Sequence, residues 1–470
     1  MTADSIPAPL LAACPGVRLA CPADGVAGAQ PSYVASPAST RQASAVMRAA
    51  ASLSLAVLPR GAGTRLDWGS PPSRCDLVIE TTRMDQVLEH AAGDLVARVQ
   101  AGASFDHLAK VLSAAGQQLA VDPPASAGTV GGILATGAAG PRRLRYGAPR
   151  DLMIGITVIR ADGTVAKAGG KVVKNVAGYD IGKLFAGSYG TLGLIIEAVF
   201  RLHPLPGASL FVTLECADAA AAYSVMSAAV TSPLAPSAAE IDWPGAGTPI
   251  RAGILLEGDP EGTPERADRL RGLLGSTAVI SDAPPPWWGL GAAAADDSTV
   301  VRIAFWAADL PRILAAVQAA AAAAGLEAAV NGSAAAGVIY ASLPRAAGPD
   351  AVTQFLAAVR AAVGQGPAAA ARGPRAPEPP PGGPATAPGD PSASGPAPGG
   401  PAAAARGPRA PDPAAAPMMR GSAVVLHAPA GVREVIDMWG PVPSLGLMRA
   451  VKDQFDPEHR MAPGRFAGGL

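Results

Sequence analysis

Cysteine is nearly missing from this chain. Cys14, Cys21, Cys75 and Cys216 are the four in 470 residues, and no two stand at Cys-x-x-Cys spacing. That excludes an iron–sulfur cluster or structural zinc built on the usual motifs, and it fits separate thiols in a reducing compartment. Net charge is missing too. The 37 basic and 37 acidic residues cancel, and Lys and Arg form no run, so the basic field that a nucleic-acid partner needs is absent. The five histidines, His90, His107, His203, His427 and His459, are not paired at metal-ligand spacing, and no metal site is expected. Long apolar runs are lacking. The most apolar helical run, Ile313 to Gly325, is mostly alanine and too short to span a bilayer. The N-terminus has no basic n-region, and prolines interrupt its apolar part. A cytoplasmic protein is expected, attached to the inner face of the membrane only peripherally, through partners.

The length calls for two or three domains. Residues 1–30 show no periodicity and read as a disordered lead-in. From Ser39 a helical face emerges through Ala43, Val46, Met47, Ala50 and Leu53. Strands are expected at Ala56–Pro59, Asp76–Glu80 and Val96–Val99, a helical turn at Val87-Leu88, and a helix over Phe105–Leu112 that stops near Gly116. Leu152–Arg160 is β-rich, Ala161–Thr164 is a hairpin signal, and Leu194–Phe200 is an apolar strand. His203-Pro204 ends this domain. Strands and helices mix without strict βαβ alternation, so the fold class is α+β.

Residues 207–365 read as a smaller α+β domain, with strands at Leu210–Leu214, Ile250–Glu257, Thr299–Trp306 and Val338–Leu343 alternating with helices on one face of an antiparallel sheet. Residues 366–417 are dense in proline, alanine and glycine and contain no Val, Ile, Leu, Met, Phe, Trp, Tyr or Cys. Nothing there can offset the entropy of ordering, so a disordered insertion is expected. Within it Pro367–Arg375 recurs as Pro401–Arg409, a tract duplication. Residues 418–470 resume with a strand at Ser422–Leu426 and then a closing segment that returns to the first domain.

Two glycine loops carry the chemistry. Pro59-Arg60-Gly61-Ala62-Gly63-Thr64 follows a strand, yet Thr64 to Pro72 cannot form the helix of a dinucleotide-binding βαβ unit. Gly128-Thr129-Val130-Gly131-Gly132 follows about 65 residues later. Such loops turn tightly and leave backbone N–H groups free for an anion. They precede Arg145-Tyr146-Gly147-Ala148-Pro149-Arg150-Asp151, Ala177-Gly178-Tyr179-Asp180 and Gly187-Ser188-Tyr189-Gly190-Thr191-Leu192-Gly193. In order and spacing these motifs resemble the vanillyl-alcohol-oxidase-like (PCMH-type) FAD-binding family, and within it the FAD-binding (E) subunits of bacterial glycolate oxidases. The resemblance covers Ser32 to Pro206. It returns at Lys452-Asp453-Gln454-Phe455-Asp456-Pro457 and Pro463-Gly464-Arg465-Phe466, with Ala462 where the family commonly has Asn.

The resemblance implies a PCMH-type FAD-binding domain over 31–206 and a cap over 207–365. Arg60, Gly61, Ala62, Gly63 and Thr64, with Thr129, Val130, Gly131 and Gly132, would contact the pyrophosphate. Ala135, Gly137 and Ala138 would leave room for the flat ring. Arg145 and Tyr146 join the cofactor set, and Gly190 with Ile195 or Ile196 would meet the adenine side. Thr64 stands where covalent members carry His, and no Cys lies near Gly140, so the FAD is expected to be non-covalent. Related dehydrogenases carry a His-rich segment in the second domain that is absent here. His427 is the remaining candidate for facing the flavin. Arg142, Arg143 and Arg145 would hold a carboxylate or the flavin phosphates. The implied function is the FAD-binding subunit of a multi-subunit glycolate (2-hydroxyacid) oxidase, working with a second FAD-containing subunit and an iron–sulfur subunit. The alternatives are a self-sufficient FAD-dependent dehydrogenase of another 2-hydroxy acid or alcohol, and a structural subunit with a vestigial FAD fold.

Overall fold

The computed structural model describes residues 5–123, 128–170, 180–291, 298–364 and 421–470. The first part of the chain builds two sheets. One has four strands in the order Val17–Leu19, Tyr33–Ala35, Leu77–Glu80 and Val57–Arg60. Its first pair is antiparallel and the other two pairs are parallel. The helix Thr40–Ser52 connects two of these strands. It starts where the Ser39 hydroxyl accepts from Gln42 N, and it buries the expected Ala43, Val46, Met47 and Ala50. The second sheet is antiparallel, with order Val87–Ala91, Val96–Gln100, Leu194–Arg201, Met153–Ile159 and Val165–Gly169.

Three expectations are corrected here. Residues 5–30 are not a disordered lead-in. They form the helix Ala8–Ala13 and an edge strand, because Leu10 and Cys14 enter the core and Asp24 ties Arg18 to Arg60. Val87-Leu88 lies in a strand rather than a helical turn, since it pairs with Val96–Gln100. The Gly128–Gly132 stretch is not a free loop. Thr129 caps the helix Val130–Thr136, accepting at its hydroxyl from Gly132 N, and Gly137 ends that helix. The expected disordered insertion, 366–417, lies outside the described residues.

The later part of the chain forms one antiparallel eight-stranded sheet. Its order is Val279–Ser281, Ala208–Cys216, Ile250–Gly258, Ala238–Trp243, Ala329–Gly332, Val338–Leu343, Thr299–Ala304 and Ser422–His427. The helices Ala219–Thr231, Gly262–Leu274, Leu310–Ala323 and Pro349–Gly364 pack on one face through residues such as Val317, Phe355, Val301 and Ile303. The strand after the insertion joins this sheet beside Thr299–Ala304, as expected from its apolar run. Ala238–Trp243 was not expected. It is buried on both faces, so it lacks the alternation that marks a half-buried strand.

The other face of this sheet turns toward the first part of the chain. In register, Asp242, Asn331, Tyr340, Arg302 and Val424 form one row. An irregularity between Val300 and Val301 pairs Val300 with His427. This bulge puts His427 on the same face as Arg302.

Candidate functional site

The two glycine loops meet. A Cβ on Gly61 would fall 2.0 Å from Thr129 Oγ1, so only glycine fits there. Between them opens a cleft of about 540 Å³ whose walls include Gly61, Ala62, Gly63, Thr64, Thr129, Gly132, Ala135 and Gly190. A second cleft of about 350 Å³ shares Gly61, Gly132, Ala135 and Gly190 and adds Arg60, Gly131 and Ile195. Gly190 has φ 77°, a left-handed conformation that brings its backbone against Pro59.

The other residues singled out in the sequence lie elsewhere. Val130 and Ile196 are core side chains, and Gly137 is a helix cap. The Arg60 guanidinium is turned away from the cleft wall. It pairs with Asp24 (2.8 Å) and Glu80 (2.6 Å), because two nearby carboxylates outcompete an open cleft for it. Arg145 and Tyr146 do not reach the cleft, because the short helix that carries them turns them into a separate groove beside His203. Arg142 lies 2.8 Å from Glu257, and Arg143 donates to the Tyr340 hydroxyl at 2.9 Å and to Ala139 O. Those arginines therefore fasten the two parts of the chain together, and Arg143 does so at the edge of the polar sheet face. Ala177-Gly178-Tyr179 of the motif before Asp180 lie outside the described residues.

Three cleft residues were given no cofactor role in the sequence. Arg65, Tyr189 and Arg465 all line the larger cleft. Arg465 is buried and donates to the Leu66 and Trp68 carbonyls. Burial lowers its pKa, and that of Arg65, without removing the charge. The Tyr189 ring packs edge-on to Trp439 at 5.1 Å, and its hydroxyl has no partner among the described residues. Arg465 was legible in principle, since it sits in the closing Pro463–Phe466 motif.

This donor set fits a dinucleotide. It offers backbone N–H groups in two abutting turns, a buried cation and a narrow cleft free of acidic lining, as a pyrophosphate requires. Thr64 offers a hydroxyl that accepts from Arg65 Nη1 at 3.2 Å. No imidazole occupies that wall.

Between the clefts' surroundings and the polar sheet face, ionisable groups gather. His427 Nδ1 lies against the Asp67 carboxylate as an ion-pair contact, and among the described residues neither ring nitrogen has a partner in hydrogen-bond geometry. Burial raises the Asp67 pKa, but His427 beside it, a backbone N–H and the Arg433 charge together outweigh burial and hold the carboxyl below its usual range. Arg302 is half-buried and has no hydrogen-bond or carboxylate partner among the described residues. Its charge reaches Tyr189, although burial still raises that hydroxyl's pKa. Asn331 Oδ1, in the same row as Arg302, is also unsatisfied. Burial pushes Asp122 up to about 6 and Glu240 up to about 8, the latter despite a hydrogen bond from Ser333. Unpaired buried polar groups are costly in a finished core and common where a ligand completes the set.

Comparison with known proteins agrees with this geometry. Residues 31–169 match the family model described as "FAD binding domain". A glycolate oxidase subunit GlcD from Bacillus subtilis (strain 168) is 36% identical over 194 residues, covering 41% of this chain and 41% of that protein. A D-lactate dehydrogenase from Archaeoglobus fulgidus is 36% identical over 171 residues, covering 36% of this chain and 38% of that protein. A glycolate oxidase subunit GlcE from Escherichia coli (strain K12) is 35% identical over 153 residues, covering 32% and 43%. The chain thus spans less than half the length of each of these relatives. A solved alkyldihydroxyacetonephosphate synthase superposes over 93% of this chain and 78% of its own with a TM-score of 0.62 at 18% identity, a likeness of fold. The chain therefore carries a PCMH-type FAD-binding domain within a mixed α and β fold. Among the described residues no helix is long and apolar enough to cross a membrane.

Proposed function

We propose that this chain is a non-covalent FAD-binding oxidoreductase acting on the CH–OH group of a small 2-hydroxy acid, with glycolate and D-lactate as leading substrates. The observation that carries this reading is that one sheet face presents both Arg302, which has no carboxylate partner among the described residues, and His427, which stands against Asp67. Oxidising a 2-hydroxy acid needs a cation for the carboxylate and a base for the hydroxyl proton. FAD, when bound, supplies the acceptor for the hydride. Arg302 supplies the cation, and its fixed fork suits a carboxylate. His427 takes the hydroxyl proton at Nε2 while Asp67 stands against Nδ1. Tyr340, held by Arg143, and Tyr189 narrow the space beside Arg302. The names of the relatives, glycolate oxidase subunits and D-lactate dehydrogenase, support the substrate class.

The electrons then leave through partners. The relatives named as glycolate oxidase subunits favour a multi-subunit enzyme, with this chain beside a second FAD-containing subunit and an iron–sulfur subunit. The four cysteines stand apart, three buried and one exposed, and give this chain no thiolate set of its own for a cluster.

The test is anaerobic mixing of the purified, FAD-loaded chain with glycolate, D-lactate and ethanol. The expected result is bleaching of the flavin band near about 450 nm by the hydroxy acids and not by ethanol. Bleaching only after a partner subunit is added would replace direct oxidation with electron relay.

A further inference from the structure

Tyr189 holds a backbone conformation that suits glycine. Its φ is 56°, in the left-handed region that bulky side chains rarely adopt, and Gly187 and Gly190 beside it have φ 79° and 77°. The turn is fixed from several sides. Gly187 N and Tyr189 N donate to Leu134 O and Ala135 O, each at 2.8 Å, at the end of the helix Val130–Thr136. The Ser188 hydroxyl donates to Phe185 O at 2.8 Å, and the Thr191 hydroxyl to Ser188 O at 2.7 Å. Local geometry alone would favour glycine at 189, so the side chain is explained by what it touches.

Packing explains the ring. Its centroid lies 5.1 Å from that of Trp439 and 5.9 Å from that of Phe466, and an added Cβ on Gly69 would come within 3.3 Å of Tyr189 Cδ1. Packing does not explain the hydroxyl, because phenylalanine would fill the same space. The oxygen is enclosed and has no hydrogen-bond partner among the described residues, and a buried hydroxyl without a partner is costly. Its surroundings say what kind of partner it takes. Tyr189 lines the larger FAD cleft. Its ring also abuts Gly69, whose N–H bonds to Leu426 O, the residue before His427. Burial raises the hydroxyl's pKa, and the charges of Arg302 and Arg465 act in the opposite sense. Guanidiniums offer donors and no acceptor, so they leave the phenol proton without a partner. An anion beside Arg302 satisfies both groups.

We infer that the Tyr189 hydroxyl donates a hydrogen bond to the carboxylate of the bound 2-hydroxy acid, beside the guanidinium of Arg302, and so makes Tyr189 a substrate-binding residue set in the wall of the FAD cleft. This inference rests on the 2-hydroxy-acid reading of the site. It gives the site a second means of rejecting simple alcohols. Without a carboxylate, both the guanidinium and the phenol proton stay unpaired.

The experiment compares the full FAD-loaded chain with its Tyr189→Phe variant. Steady-state kinetics with an artificial acceptor are measured on glycolate and D-lactate, together with inhibition by acetate, which has the carboxylate without the hydroxyl. Flavin content should be unchanged. The thermal midpoint without substrate should be equal or higher, because the variant keeps the ring and loses an unpartnered hydroxyl. KM for both hydroxy acids and the inhibition constant of acetate should rise together by about tenfold, the loss of one hydrogen bond to a charged group, with kcat changing less. Unchanged KM and acetate inhibition in a yellow, folded variant overturn the inference. A raised KM with acetate inhibition unmoved overturns it too, because the hydroxyl then meets another part of the substrate. So does a lowered midpoint or lost flavin, which makes the hydroxyl a structural group. A parent chain whose flavin neither acid reduces sinks the 2-hydroxy-acid reading itself, and this inference with it.

Discussion

Lys452 Nζ lies 2.7 Å from Asp456 Oδ2, and both side chains are fully enclosed, at 1% and 0% exposure. The same ammonium donates to Thr191 O at 2.7 Å and to Met461 O at 2.9 Å, while Asp456 accepts from the backbone of Arg460 and Met461. One buried pair thus pins the closing segment of the chain to the turn that carries Gly190. Burial lowers the lysine pKa, and Asp456 opposes that shift. Removing one partner leaves an uncompensated buried charge. Lys452→Met is expected to cost about 3 to 5 kcal/mol in urea unfolding, and Lys452→Met with Asp456→Leu should recover part of it. FAD affinity should fall with the single change, because Gly190 loses its anchor.

Gly61 and Thr129 make a second prediction. An added methyl group at Gly61 collides with the Thr129 side chain, whose hydroxyl caps the helix Val130–Thr136. Gly61→Ala should yield a folded but colourless protein, with FAD affinity reduced by about a hundredfold. Gly93→Ala, where an added Cβ meets nothing within 4 Å, should stay yellow. Equal flavin content in the two variants, measured by absorbance after gel filtration, would refute a two-loop clamp.

How far the sequence could be read follows from which physical signals are local. Periodicity located Thr40–Ser52 and Phe105–Ser113, and apolar runs located Leu77–Glu80 and Leu194–Arg201, because those signals lie within each segment. The glycine loops were legible for the same reason. Ala238–Trp243 was not, since a strand buried on both faces shows no alternation. Val87–Ala91 was misread because its pairing with Val96–Gln100 is decided by the neighbour and not by its own residues. The substrate face was the least legible. Arg302 gains meaning only from its place opposite Tyr340; His427 was a candidate from the sequence, but its neighbour Asp67, 360 positions earlier, comes from a bulge that no local signal marks. Arg60 looked like a phosphate ligand because the sequence does not reveal that Asp24 and Glu80 hold it.

Stability should fall as the pH rises toward 8. Glu240 is buried with a folded pKa of about 8 against an ordinary 4.5, and Asp122 reaches about 6. Between pH 6 and 8 the folded state therefore holds a proton at Glu240 that the unfolded chain has released. Unfolding free energy then declines with pH, by up to about 1.4 kcal/mol per pH unit. Glu240→Gln keeps the hydrogen-bonding shape without the titration. Denaturation curves at pH 6, 7 and 8 should show the slope in the parent and a flat response in the variant. A parallel slope in both would assign the effect to other groups.

The substrate assignment has the sharpest kinetic signature. If Arg302 binds the carboxylate, Arg302→Gln should raise KM for glycolate by about a hundredfold, the loss of one partner of a desolvated charge pair. If His427 takes the hydroxyl proton, His427→Asn should instead lower kcat by about a hundredfold or more with KM nearly kept. Asp67→Asn acts through the ring it stands against, so it should lower kcat less than His427→Asn. All three variants should retain FAD, because none of these side chains lines the clefts. Flavin content and steady-state kinetics with an artificial acceptor separate these outcomes. Unchanged KM in the Arg302 variant would remove the carboxylate from that side chain. Full turnover in the His427 variant would move the base to the buried acids, where Glu240→Gln becomes the decisive measurement.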